Sequence, residues 1–265
     1  MRQQRQLYRE KIYRCGNYTE VDIYPVFGRQ HGRGRKRKPT KAVQKALNEK
    51  NAKQKFIRLV NTNFTPKDIR IDLTYAPDKL PGSAEDAQKE VYKFIRRLKA
   101  FRKRAGLPEL KYVYTTEVGE KTGRIHHHAV MSGGVDVADL ALIWGKGYTT
   151  VKPLQFDPET GCSDLAAYMI KSRQLYKRWN ASRNLKQPEE TTRDGKLSRA
   201  RAQEWSAQGM DCREAIEAWY GQKLADIAPF FNEVNRGVYI TLRLYGKTRG
   251  KQNDQQTIST RRKRC

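Results

Sequence analysis

Acidic residues are scarce in this chain: 28 Asp and Glu stand against 54 Lys and Arg, and the formal net charge is +26 over 265 residues. A chain so charged repels itself unless a polyanion screens it. Its basic residues run from Arg2 to Arg264 and are not confined to one tail, so nucleic acid is the expected working partner. Membrane surfaces and ribosomal RNA are the other polyanions that charge alone would fit. Long hydrophobic runs are also missing. No stretch of about 18 apolar residues occurs, which excludes a spanning helix, and the opening MRQQRQLYREK lacks the apolar segment of a signal peptide. A soluble, cytoplasmic protein with no membrane partner is expected. The four cysteines, Cys15, Cys162, Cys212 and Cys265, lie far from any CxxC spacing, against both a zinc ribbon and a disulfide framework. No GxxxxGK[ST] is present either, so any unwinding of duplex must come from a partner.

What is there divides by period. Residues 29–55 begin with a Gly/Arg/Lys-rich arm, including Arg33, Arg35, Lys36 and Arg37, that breaks at Pro39 before a polar helix from Thr40. The arm fits phosphates and fits equally a solvated segment. IRIDLTYA (69–76) alternates as a strand with Ile69, Ile71, Leu73 and Tyr75 on one face. From Ser83 the period becomes helical through Ala87, Val91, Phe94, Ile95, Leu98 and Phe101, with Ser83 as cap and Gly106 as stop. The other face of that helix carries Arg96, Arg97, Arg102 and Lys103, a track for a DNA backbone or simply a solvated basic face. Strands 111–118 and 124–131 form a hairpin about GEKTG. A short helix (136–144), a strand (149–154) and a helix from Ser163 through Trp179 follow. Beyond a polar stretch, AIEAWYGQKLADIAPFF reads as one more helix and GVYITLRLYG as a closing strand. The order of elements predicts an α+β sandwich.

The chemistry concentrates in two places. In IHHHA (125–129) the strand period of two puts His126 and His128 on one face, within reach of a single ion, and His127 on the other. Buried or solvated histidines are the alternative. Glu117 lies on the preceding strand, where pairing across the turn could make it a third ligand, or leave it a plain surface residue. Two imidazoles and one carboxylate leave coordination positions open, which suits Mg²⁺ or Mn²⁺ acting on a phosphate. Downstream, the helix DLAAYMIK sets Tyr168 and Lys171 on one face, where an ammonium favours the phenolate. The same YxxK spacing also describes a core tyrosine beside a solvated lysine.

Taken in order, DLTYA (72–76), HHH (126–128) and YMIK (168–171) resemble the three motifs of the HUH endonucleases. More narrowly, the chain is similar to the rolling-circle replication initiators of filamentous phages and small plasmids, and CGNYTEVDIYPV and KRWNASRNLKQP add to the likeness. The resemblance implies a central antiparallel sheet of about five strands flanked by helices, with the histidines on a middle strand and the tyrosine helix facing them. It implies a basic N-terminal segment at 1–60, the HUH core at 61–180 and a mostly helical C-terminal extension with a closing strand at 181–265. It further implies His126, His128 and Glu117 as metal ligands, Tyr168 as the nucleophile that becomes 5′-phosphotyrosyl, and Lys171 as a partner of the metal or phosphate. A free 3′-OH would prime synthesis on single-stranded or origin DNA in a bacterial host, with host helicase and polymerase as partners. The position four after Tyr168 is Ser172 and the next tyrosine is Tyr176, so a single-tyrosine enzyme is expected. Two other readings compete: a non-catalytic basic nucleic-acid-binding protein, and an HUH relaxase or transposase.

Overall fold

The computed structural model describes residues 7–27, 41–119, 123–170, 178–233 and 235–246. In chain order its elements are β1 (Leu7–Cys15), β2 (Tyr18–Val26), α1 (Lys41–Asn63), β3 (Ile69–Thr74), α2 (Ala84–Arg104), β4 (Tyr112–Val118), β5 (Ile125–Met131) and α3 (Val137–Trp144). There follow β6 (Thr149–Pro153), α4 (Ser163–Met169), β7 (Asn180–Ala181), β8 (Glu189–Asp194), α5 (Arg199–Gln208), α6 (Arg213–Tyr220), β9 (Lys223–Asn232) and β10 (Gly237–Tyr245). The class is α+β, as the order of motifs predicts. Among the described residues no helix is long and apolar enough to cross a membrane.

The strands form two antiparallel sheets of five, in the orders β8-β1-β2-β10-β9 and β6-β3-β5-β4-β7. The first joins the two ends of the chain. β1 and β2 reverse at Gly16, whose φ of +64° suits a tight hairpin, and β10 pairs with β2. Tyr8, Ile12, Val21 and Leu242 of this sheet bury one face against Trp205 and Ile216 of α5 and α6. This sheet corrects the expectation of a helix over 215–231. Helix α6 stops at Gly221, which takes a left-handed φ of +68° and donates its N–H to the Glu217 carbonyl. LADIAPFF then runs as β9, an edge strand where Pro229 needs no second neighbour for its missing N–H. A short apolar run carries no period that separates strand from buried helix, and here pairing with β10 decides.

The second sheet has two faces of different character. Ile71, Leu73, Ala129 and Met131 pack against Phe94 and Leu98 of α2 and Leu140 and Trp144 of α3. Helix α2 is capped as its sequence predicts: the Ser83 side chain accepts the Asp86 N–H at 3.1 Å, and Gly106 follows the last turn at φ +66°. Behind the other face lies α1, whose Phe56 and Val60 touch Val113 and Val130 of this sheet and also Cys15 and Tyr18 of the first. Helix α1 thus joins the two sheets through one core, each fully buried Phe or Val stabilising by roughly 1.5–3 kcal/mol. Gly147 closes the end of β3: a Cβ there would lie 2.5 Å from the Thr74 carbonyl oxygen, so only glycine fits.

Candidate metal centre and tyrosine

Register on the second sheet determines which side chains meet. Across the β4–β5 hairpin Glu117 faces His126 and Thr116 faces His127, while β3 on the other side sets Asp72 opposite His128. Period two then puts Asp72, Glu117, His126 and His128 on one face and His127 on the other. The two outer histidine rings stand edge to face with centroids 4.9 Å apart. Glu117 Oε1 lies 2.7 Å from His126 Nε2 and 2.8 Å from His128 Nε2. The remaining ring nitrogens also face acceptors: His128 Nδ1 is 2.5 Å from Asp72 Oδ1 and His126 Nδ1 is 3.2 Å from the Arg124 carbonyl.

That arrangement tests the fit of a metal directly. A neutral imidazole carries one N–H, yet each of these rings has acceptors at both nitrogens, so the pair calls for two further positive charges. A divalent ion at the junction of the two Nε2 atoms and Glu117 supplies them, with each Nδ1–H donated to Asp72 or to Arg124 to fix the tautomer. The three ligand atoms lie within 4.8 Å of one another, which fits one ion. The titration of the cluster reflects the same demand. Burial pulls the His128 imidazolium down, but hydrogen bonds to Asp72 and Glu117 outweigh it and raise its pKa to about 9. Burial opposes the Glu117 carboxylate, yet bonds from His126 and His128 lower it to about 2.

His127 belongs to the core. It is fully buried, with Nδ1 at 2.8 Å from Thr116 Oγ1 and Nε2 at 2.8 Å from Tyr75 Oη, and burial lowers its pKa to about 3. It is a neutral hydrogen-bonding member of the α2 and α3 side of the sheet.

Tyr168 reaches the ligand face from α4. Asn61 of α1 fixes the start of that helix, accepting the Cys162 N–H at 3.0 Å and donating to Ser163 Oγ at 3.2 Å. Ser163, Ala166 and Met169 bury the inner side of α4, leaving Tyr168 55% exposed on the open side. Its ring stands 6.1 Å from the His128 ring, and the Arg70 guanidinium lies 5.4 Å from its centroid. Arg70 in turn donates to both Asp72 oxygens at 3.1 and 3.0 Å. A chain of contacts therefore runs from Glu117 through His128 and Asp72 to Arg70 and the exposed phenol.

Residues 68–173 match the family model of the replication-associated protein ORF2. The match is to less than half of the chain, but it spans β3 to α4 and so contains Asp72, Glu117, His126, His128 and Tyr168. Comparison with curated proteins and with solved structures gave no match.

The other expected site residues fall differently. Lys171 and Tyr176, and the arm residues Arg33, Arg35, Lys36 and Arg37, lie outside the described residues. Arg96, Arg97 and Lys103 are exposed on α2, which covers the His127 face, so the sheet separates them from Tyr168. Arg102 corrects the expectation of a DNA contact: it is 3% exposed and donates to the Pro108 and Gly133 carbonyls at 3.0 and 2.8 Å. Those carbonyls lie in the turns after α2 and β5, where an arginine reaches what the backbone leaves unpaired. Two members of the site, Arg70 and Asp72, were not singled out in the sequence. Their signal was the polar alternation in IRIDLT, whose meaning depends on the register with β5.

Proposed function

We propose that this protein is a rolling-circle replication initiator that nicks single-stranded origin DNA by tyrosine transesterification, with the chemistry carried by residues 61–180. One observation carries the reading: an exposed tyrosine, Tyr168, stands beside a Glu117–His126–His128 ligand set on the same face of one sheet. The match of residues 68–173 to a replication-associated family supports a replication role.

Glu117, His126 and His128 would hold the ion, Mg²⁺ or Mn²⁺, and Asp72 would orient His128. Bound there, it would polarise a non-bridging oxygen of the scissile phosphate. Arg70, beside the Tyr168 ring, places a second positive charge where that phosphate must lie, and Lys171 is the candidate for a third. Tyr168 Oη attacks phosphorus, a new P–Oη bond forms and the P–O3′ bond breaks. The phenol proton ends on O3′, leaving a 5′-phosphotyrosyl link and a free 3′-OH. Bond order is conserved, so attack by a 3′-OH on the same link reverses the step and rejoins strands. Arg96, Arg97, Lys103 and the arm Arg33, Arg35, Lys36 and Arg37 would hold DNA flanking the break.

Incubating the full chain with Mn²⁺ and labelled phage or plasmid single strands is the test. The expected product is a protein–DNA band that survives denaturation and maps to Tyr168. Tyr168→Phe should abolish that band while binding persists; covalent capture at parent level by the variant would refute the assignment.

A further inference from the structure

The first sheet carries a second feature that the nicking chemistry does not use. Its face away from α5 and α6 is covered only in part by α1, and between the two runs a groove made of two adjoining hollows of about 470 and 500 Å³ that share Asp22, Asn51 and Gln54. At one end of its floor three aromatic rings stand side by side on three neighbouring strands. Phe230 of β9 pairs with Tyr239 of β10, and Tyr24 of β2 follows beside the Ile240–Ile23 pair. Phe230 is 62% exposed, and its ring centroid lies 6.2 Å from that of Tyr239. Large exposed aromatics in a row are unusual on a folded surface, since their burial stabilises.

The charges of the groove indicate what would cover it. Each acidic group on its walls is already engaged: Asp22 with Arg58 at 3.2 Å and Thr241 at 3.0 Å, and Glu190 with Lys11 at 3.0 Å. Lys50 and Lys55 of α1 line the opposite wall, and neither has an ion pair among the described residues. Aromatic faces flanked by unpaired ammonium groups, on a chain of net charge +26, match the needs of a strand with free bases and a phosphate backbone. A duplex offers phosphates but keeps its bases stacked inside.

We propose that the groove between α1 and the first sheet is a second binding site, for single-stranded DNA without regard to sequence, in which bases stack on Phe230, Tyr239 and Tyr24 and phosphates lie along Lys50 and Lys55. The site is separate from the ligand face, and the proposal stands whether or not Tyr168 is the nucleophile. Helix α1 carries one wall of the groove and, through Asn61, holds the start of α4, so a strand bound there is tied to the element that bears Tyr168.

Anisotropy of fluorescein-labelled oligo-dT with the full chain tests this, beside a duplex of equal length. Phe230→Ala should weaken oligo-dT binding by about 5- to 100-fold, leave the duplex almost unchanged, and be rescued by Phe230→Trp. Lys50→Gln, on the exposed side of a helix, should reduce the slope of log K against log salt by about 0.7. At saturating DNA, Phe230→Ala should still form the tyrosyl adduct, which separates this site from the nicking centre. Equal loss for duplex and single strand, or parent-like oligo-dT binding by both Phe230→Ala and Lys50→Gln, would overturn the proposal. So would a Phe230→Ala variant that changes only the sedimentation of the protein, since the groove would then hold a second copy of the chain.

Discussion

At the scale of single residues, three consecutive histidines have two different fates because a strand turns each side chain to the opposite face of its neighbour. His126 and His128 meet Glu117, whereas His127 is buried between Thr116 and Tyr75. Asp72 is the residue whose role depends most on this register. Its carboxylate holds His128 Nδ1 and Arg70 together, so it acts on the ion and on the phenol through others and is a positioning residue. Asp72→Ala should lower Mn²⁺ affinity about 10- to 100-fold, as loss of an outer-shell carboxylate does at histidine-ligated metals. Calorimetric titration of the folded variant reads this directly, and an affinity equal to that of the parent would remove Asp72 from the centre.

At the scale of elements, α2 shows both the reach and the limit of pattern. Its period, its Ser83 cap and its stop at Gly106 were all present in the sequence, and the structure has them. What the pattern did not distinguish was one arginine from another. Arg96 and Arg97 point to solvent; Arg102, at the edge of the apolar stripe, turns inward and satisfies carbonyls of two turns. Removing a buried donor from such carbonyls costs roughly 1–3 kcal/mol, whereas an exposed substitution changes stability by less than about 0.5 kcal/mol. Urea unfolding should therefore show Arg102→Leu shifted to a clearly lower midpoint and Arg96→Ala close to the parent. The reverse order would mean that Arg102 does not bind the Pro108 and Gly133 carbonyls in solution. Helix α4 is the complementary case: its start at Ser163 was legible, while its hold on Asn61, about a hundred residues away in sequence, was not.

At the scale of the whole molecule, the two ends of the chain complete one sheet. β10 lies between β2 and β9, so a chain stopped before Gly237 would lose an inner strand and expose Leu242 and Leu244 partners on both sides. Such a truncation should unfold the first sheet, seen as exposure of Trp205 in its fluorescence and rapid amide exchange in β1 and β2. Native-like emission and protection would show that β10 is dispensable. The sequence by itself determined the α+β class, the hairpin of the histidines, the pairing of Glu117 across it and the helix bearing Tyr168, because period, caps and turns act over a few residues. Only the tertiary structure decided that Asp72 and Arg70 join the site, that Arg102 leaves the surface, and that 223–232 is a strand beside the closing one. Each of those depends on which distant segment lies alongside, and a strand's partner is selected by packing and hydrogen bonding across the fold, not by its own residues.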